Sequence, residues 1–286
     1  MAKGRELLGR IKSTENTRKI TRTMEMVATS KMKRAVDRVV AARPYAAALT
    51  DVIASLYSSE LAGSFPLLRQ PTTEKRVAVI LLTSNRGLAG AFNSNLIKEA
   101  RQLLVQLDAA GTQVDLHVVG RKGIGYFKYV GRVMQVQRTD ISDRPTADDA
   151  ASLVDGLMHA FAAAELDAVY VVQSQFKSVL SSPPASVRVL PVARPQVGAV
   201  TKDYLLFPSA AEILTTLLPA YVRNAVYRAL VETVAAEQAA RRTAMKSATD
   251  NAGEMLTVLR RTYNRARQAN ITQEIAEIVG GAAALD

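Results

Sequence analysis

The residues able to do chemistry are few and scattered. Thr83-Ser84-Asn85-Arg86-Gly87-Leu88-Ala89-Gly90 lies between an apolar run and a helix-like segment. Phosphate-cradling loops occur at such junctions, because backbone N–H groups and a helix N-terminus converge there. The stretch lacks G-x-G-x-x-G spacing and carries no Lys-Ser/Thr pair for a P-loop. It reads first as a tight strand-to-helix turn whose glycines allow unusual backbone angles or close packing. The only histidines are His117, in an apolar strand-like run, and His159, on an Ala-rich helix. Neither has a cysteine or a second histidine at metal-ligand spacing, so both read as structural. The 286 residues include no cysteine, which excludes disulfides and thiolate metal sites and fits a reducing compartment. G-x-S-x-G, H-E-x-x-H and EF-hand patterns are missing as well. Catalysis by this chain alone has little to work with, and no cofactor or metal is expected.

Charge is more informative. The net charge is +11, and between Lys3 and Arg43 twelve Lys or Arg face only four acids, Glu6, Glu15, Glu25 and Asp37. A basic helix of this kind suits nucleic acid, an anionic membrane or an acidic protein surface. Its charges spread round the helix with acids interspersed and no basic-zipper layout, which disfavours a major-groove reader. No uninterrupted apolar run reaches about 18 residues, so no membrane-spanning helix is expected. The start, MAKGRELLGRIKS, has no apolar core of a secretory signal. At the other end, Ile271, Ile275, Ile278 and Val279 make an apolar tip. Such a tip suits burial in a partner or packing on the first helix.

The elements that must position these groups fall into three blocks. With 48% hydrophobic and 22% charged residues the chain can build a core. Residues 4–58 and 209–280 read as helices that would span roughly 80 and 105 Å at full length. In the first, Ile20, Met24 and Val27, then Met32, Val36 and Val39, recur at 3–4 spacing. Pro44 and Pro219 lie inside the two helices and are expected to kink or divide them. Ser209 with Glu212 resembles a capping box, and Gly280-Gly281 is the expected stop. Arg241, Met245, Ala248, Ala252, Met255, Leu259, Thr262, Ala266, Ala269 and Gln273 repeat at alternating 4 and 3, the seam of a left-handed coiled coil. Between the helices, strands are expected at 76–83, 114–119, 133–136, 168–173 and, on an edge, 186–191. Helices are expected at 96–107 and 147–164, with a short one in GRKGIGYFKYVG. That alternation predicts a largely parallel sheet. The fold class is therefore α/β plus all-α: a long antiparallel coiled coil of the terminal helices (1–60 and 209–286, one discontinuous domain) with a Rossmann-like α/β domain, 74–200, inserted.

The run Lys19-Ile20-Thr21-Arg22-Thr23-Met24-Glu25-Met26-Val27-Ala28-Thr29-Ser30-Lys31-Met32-Lys33-Arg34 resembles the N-terminal signature of the F-type ATP synthase gamma subunits. Glu237–Arg241, Ala244–Asn251 and Tyr263–Glu274 resemble the family's C-terminal helix, and Thr83–Asn95 its central-domain motif. The resemblance implies a non-catalytic rotor shaft of the F1 sector, threading a ring of alpha and beta subunits, with its foot on epsilon and the membrane c-ring. It implies ATP synthesis or hydrolysis at alpha and beta sites, coupled to ion flow. The implied place is the cytoplasmic face of a bacterial plasma membrane, as a peripheral subunit without membrane insertion. It also implies roles for single residues. Met24, Lys31, Lys33, Arg34, Arg242, Arg267, Gln268 and Thr272 would meet beta, and Tyr204 would lie near the c-ring and epsilon. Without the resemblance, the same layout also suits a static adaptor or, less well, an enzyme using the α/β block.

Overall fold

The computed structural model describes residues 2–56, 65–179, 181–193 and 209–283. They form two compact units, residues 29–240 and a second made of 1–28 with 241–286. Helix α1 is Ala2–Leu56 and the last helix, α5, is Ala210–Ala283. In chain order between them come β1 (Arg76–Leu82), α2 (Phe92–Ala109), β2 (Gln113–Val119), α3 (Arg121–Val130), β3 (Val136–Arg138), α4 (Ala147–Ala162), β4 (Ala168–Ser174) and β5 (Pro184–Leu190).

In the unit 29–240 the strands make one five-stranded sheet in the order β3-β2-β1-β4-β5. The first four are mutually parallel and β5 runs antiparallel on the edge. β1 is covered on both faces, which is why RVAVILL is a continuous β-branched and leucine run instead of an alternating one. Ala78, Ile80 and Leu82 face one core with Leu153, Leu157 and Phe161 of α4 and Leu214, Leu218 and Val222 of α5. Val77, Val79 and Leu81 face the other, with Leu96, Ala100 and Leu104 of α2. α1 serves both faces, Met32, Ala35 and Val39 on the α2 side and Leu49, Ile53 and Leu56 on the α4 side. One 18-residue window of this helix has a mean hydropathy of 1.3, enough by length and composition to cross a membrane. The expectation from uninterrupted runs missed it because Arg43 and Asp51 punctuate the apolar residues. Leu49, Ile53 and Leu56 lie in the protein core, while only 28% of that window is buried.

The third strand begins later than expected, at Val136 instead of Val133. Val133 is 78% exposed, and ladder pairing to β2 starts at His117 opposite Val136. Neither proline divides its helix, and α5 continues through Gly280-Gly281 to Ala283. Ser209 does cap α5: its Oγ accepts from the Glu212 N–H at 3.2 Å.

Asp167, at the foot of β4, ties that strand to β1. Its carboxylate accepts the N–H of Lys75 at 2.8 Å and of Arg76 at 3.1 Å, and lies 3.6 Å from Arg69. Burial alone would raise its pKa, but the two N–H groups and the guanidinium outweigh burial and hold it below the ordinary carboxylate value. A depressed folded pKa adds stability above the unfolded value of 3.8, lost as pH falls through the folded one. Asp167→Asn is therefore expected to cost about 2 kcal/mol at pH 7, the weight of hydrogen bonds to a charged group. Urea melts at pH 7 and near pH 3 check this, and the deficit should shrink at the lower pH.

In the other unit the two helices pair antiparallel. Thr249 Oγ1 donates to Thr21 Oγ1 at 2.8 Å, Arg260 pairs with Glu15, and Gly253 packs against the Arg18 guanidinium. The inward row on α5 is Met245, Thr249, Ala252, Leu256, Leu259, Tyr263, Ala266 and Asn270. Its 4-3 rhythm matches expectation, but half the positions differ by one residue. Leu256 is 4% exposed and Met255 is 56% exposed. A 3.5 repeat fits two adjacent stripes of such a helix, and the apolar residue at 255 made the outer one look like the seam. α1 behaves likewise. Thr21 and Ala28 are buried, while Ile20 is 60% and Val27 50% exposed. Small and hydroxyl side chains share the seam with Met245 and Leu256, and further large apolar ones, Ile20, Val27, Met255 and Val258, point out.

Candidate functional site

The Thr83 loop follows β1 and faces the start of α3. Thr83 Oγ1 donates to the Val119 carbonyl at 2.8 Å and accepts the Gly123 N–H at 2.9 Å. Asn85 Oδ1 accepts the Arg121 N–H at 3.1 Å, and its Nδ2 donates to the carbonyls of Thr139 and Ile141 at 3.0 and 3.2 Å. Ser84 O accepts the Lys122 N–H at 3.2 Å. The first three N–H groups of α3 are thus taken by the loop itself, so α3 offers no backbone donors to a phosphate. The polar residues of this motif knot three strand ends together, as the tight-turn reading expects.

Beside the knot lies a cleft of about 580 Å³. Lys31, Arg34 and Arg38 of α1 line it with Arg86 from the loop after β1, Arg121 from the first turn of α3 and Arg144 from the loop after β3. Lys31 Nζ is 2.6 Å from Asp143 Oδ2, each side chain being about a third exposed (30% and 34%). Arg38 reaches the Asp143 carbonyl at 3.5 Å. Lys33 and Arg34 are exposed, and among the described residues Arg34 hydrogen-bonds only one turn back on its own helix, to Ser30. The three cations of the basic stretch therefore differ: Lys31 is paired with Asp143, and Lys33 and Arg34 are exposed without a tertiary partner among the described residues. Sequence reading missed Asp143 and the distant arginines, since nothing local links residues 31, 86, 121 and 144.

In the coiled-coil unit, Met24 and Arg242 are half-buried. Arg267, Gln268 and Thr272 sit together on the exposed last turns of α5, where Thr272 Oγ1 donates to the Gln268 carbonyl at 2.9 Å. Among and beyond them Ile271, Ile275, Ile278 and Val279 are 46%, 56%, 72% and 62% exposed. Tyr204 lies outside the described residues.

The other titratable groups serve the fold. Burial pushes the His117 pKa down, partly countered by Asp115, itself 2.9 Å from Arg76. Burial, helped by a hydrogen bond to Glu74 at 2.9 Å, raises Tyr170 to about 12, so its hydroxyl stays a donor. Among the described residues no three His, Asp or Glu cluster as metal ligands would.

What decides the family is breadth of likeness. A family model described as ATP synthase matches residues 3–285. The ATP synthase gamma chain of Gemmatimonas aurantiaca is 66% identical over 100% of this chain and 99% of its own length. The chain belongs to the ATP synthase gamma-chain family. The gamma chain of Frankia casuarinae is 43% identical over 98% of this chain and 97% of its own. Among solved structures, the central stalk and c-ring of Tetrahymena thermophila mitochondrial ATP synthase contains a chain that is 26% identical. It has a TM-score of 0.63, covering 80% of this chain and 99% of that one. A chain of the Euglena gracilis mitochondrial ATP synthase, 18% identical with a TM-score of 0.66, shares the fold across 99% of this chain. As a gamma chain, this protein is a non-catalytic stalk subunit of a rotary ATP synthase.

Proposed function

We propose that the chain turns as the shaft of an F1 sector, with its coiled-coil unit inside a ring of three alpha and three beta subunits. One observation carries the reading: in that unit the seam mixes Thr21, Ala28, Thr249 and Ala252 with Met245 and Leu256, while further large apolar residues, Ile20, Val27, Met255 and Val258, face outward and the isoleucines of the tip are exposed. A freestanding coil places its large apolar residues in the seam. A coil enclosed by a sleeve uses them outside, where contacts without directional bonds let it rotate. A single asymmetric shaft in a near-threefold ring makes three equivalent sites unequal, and rotation changes which conformation each favours.

Arg267, Gln268 and Thr272 are the polar contacts this reading assigns to beta near the tip, with Met24 and Arg242 further along the unit. Lys33 and Arg34 are assigned to acidic beta loops, and Lys31 to the same surface through its pair with Asp143. Tyr204 is assigned to the c-ring and epsilon. The implied setting is a peripheral complex on the cytoplasmic face of a bacterial plasma membrane, bacterial relatives being the support.

Co-expression with alpha and beta from the same source tests the reading. A complex of three alpha, three beta and one of this chain, hydrolysing ATP only when all are present, is expected. Failure to associate at native salt would sink it. Within that complex, Lys33→Glu/Arg34→Glu is expected to lower turnover two- to fivefold, roughly the weight of two exposed ion pairs. The melting of the isolated chain should not change, since neither side chain has a tertiary partner among the described residues.

A further inference from the structure

We propose that the cleft between α1 and the carboxyl ends of β1, β2 and β3 binds a phosphate-bearing small anion. Its volume, about 580 Å³, is that of a small-molecule pocket. Its position is where open α/β sheets hold ligands, outside the carboxyl ends of parallel strands. Four elements bring cations to it. Arg38 comes from α1, Arg86 from the loop after β1, Arg121 from the first turn of α3 and Arg144 from the loop after β3.

The charge does not cancel within the cleft. Asp140 is held by Arg138 through two contacts at 2.6 and 2.7 Å, and the Asp143 carboxylate by Lys31 at 2.6 Å. The side chains of Arg86, Arg121 and Arg144 make no hydrogen bond or ion pair among the described residues. Three unopposed guanidinium groups around one concavity repel one another, and an anion relieves that repulsion. Arginine forks match phosphate oxygens two at a time, and several forks from different directions suit a chain of phosphates better than a single carboxylate. The ligand is held by side chains alone, because the α3 N–H groups are occupied by Thr83, Ser84 and Asn85. This explains why the loop carries no phosphate-loop sequence.

Isothermal titration of the full chain with tripolyphosphate, with ATP and with hexaglutamate is the test. The expected result is one tripolyphosphate per chain, with affinity falling at least tenfold in Arg121→Ala/Arg144→Ala. Lys98→Ala/Arg101→Ala, which removes two charges from the α2 surface, should leave it unchanged. Equal affinity for ATP and tripolyphosphate would mean that the phosphate chain alone is read. Tighter ATP would mean that the nucleoside is seated too. No binding, equal loss in both double variants, or hexaglutamate binding more tightly than tripolyphosphate would overturn the proposal. The last result would assign the cleft to an acidic protein segment.

Discussion

Gly120→Ala is expected to unfold the α/β unit or to cost it at least about 4 kcal/mol, a large part of a domain's usual 5–15. Gly120 has φ +97°, and a Cβ there would stand 2.1 Å from the Thr83 carbonyl oxygen and 2.5 Å from its carbon. Both are backbone atoms at the end of β1, so no rotamer change makes room. The Thr83 N–H donates to the Val119 carbonyl and the Gly120 N–H to the Arg138 carbonyl, each at 2.8 Å. Parting the two chains therefore pulls on β1, β2 and β3 together. Gly123→Ala should be milder. Its Cβ would meet Thr83 Oγ1 and Val118 Cγ1 at 2.8 Å, both side-chain atoms. Gly125→Ala, with nothing within 4 Å, should stabilise α3 by about 0.5–1 kcal/mol. Urea denaturation of the three variants gives the order. A Gly120→Ala melt within about 2 °C of the parent would refute the argument, since about 1 kcal/mol alone shifts a domain this size by that much.

That same glycine marks what was legible in the sequence. RVAVILL, QVDLHVV and AVYVVQS were readable as strands because each is rich in Val, Ile or Leu over strand length, with β1 and β4 buried along most of their length. The parallel order followed from the helices between them. β3 was harder: three residues long, it pairs only with β2, and local propensity favoured the exposed Val133. The coil was legible as a coil, but its phase was not. Rules of apolar periodicity assume that the large residues all face the seam, and here Thr21 and Thr249 take places in it while Met255 and Val258 lie outside. A sequence that must fit both a partner helix and an enclosing surface carries two stripes, and only structure tells them apart. For the candidate contact residues, motif likeness located the stretch 31–34, and the structure divided it, since the Lys31–Asp143 pair joins positions 112 residues apart.

The outward stripe leads to the other large effect. Ile275→Asp/Ile278→Asp is expected to weaken retention of the chain in the assembled ring by on the order of 100-fold or more, with ATP turnover falling in parallel. Both side chains are already more than half exposed in the chain by itself, at 56% and 72%. Aspartate there costs the isolated helix only a few tenths of a kcal/mol per site through propensity. Buried against a sleeve, each isoleucine contributes about 1.5–3 kcal/mol, so the pair accounts for roughly two to four powers of ten in an equilibrium constant. Carboxylates in the same place must also be stripped of water, which deepens the loss. Ile275→Ala/Ile278→Ala should fall between, because it removes the apolar area without adding charge. Gel filtration of the reconstituted complex at graded concentrations measures retention, and circular dichroism melts of the free chain monitor folding. Undiminished assembly with normal melts would remove the tip from the bearing. Ionic strength then separates the two kinds of contact. The Lys33→Glu/Arg34→Glu defect acts through exposed charge and should shrink as salt shortens the screening length from about 10 Å at 0.1 M to about 3 Å at 1 M. The isoleucine defect acts through apolar area and should persist.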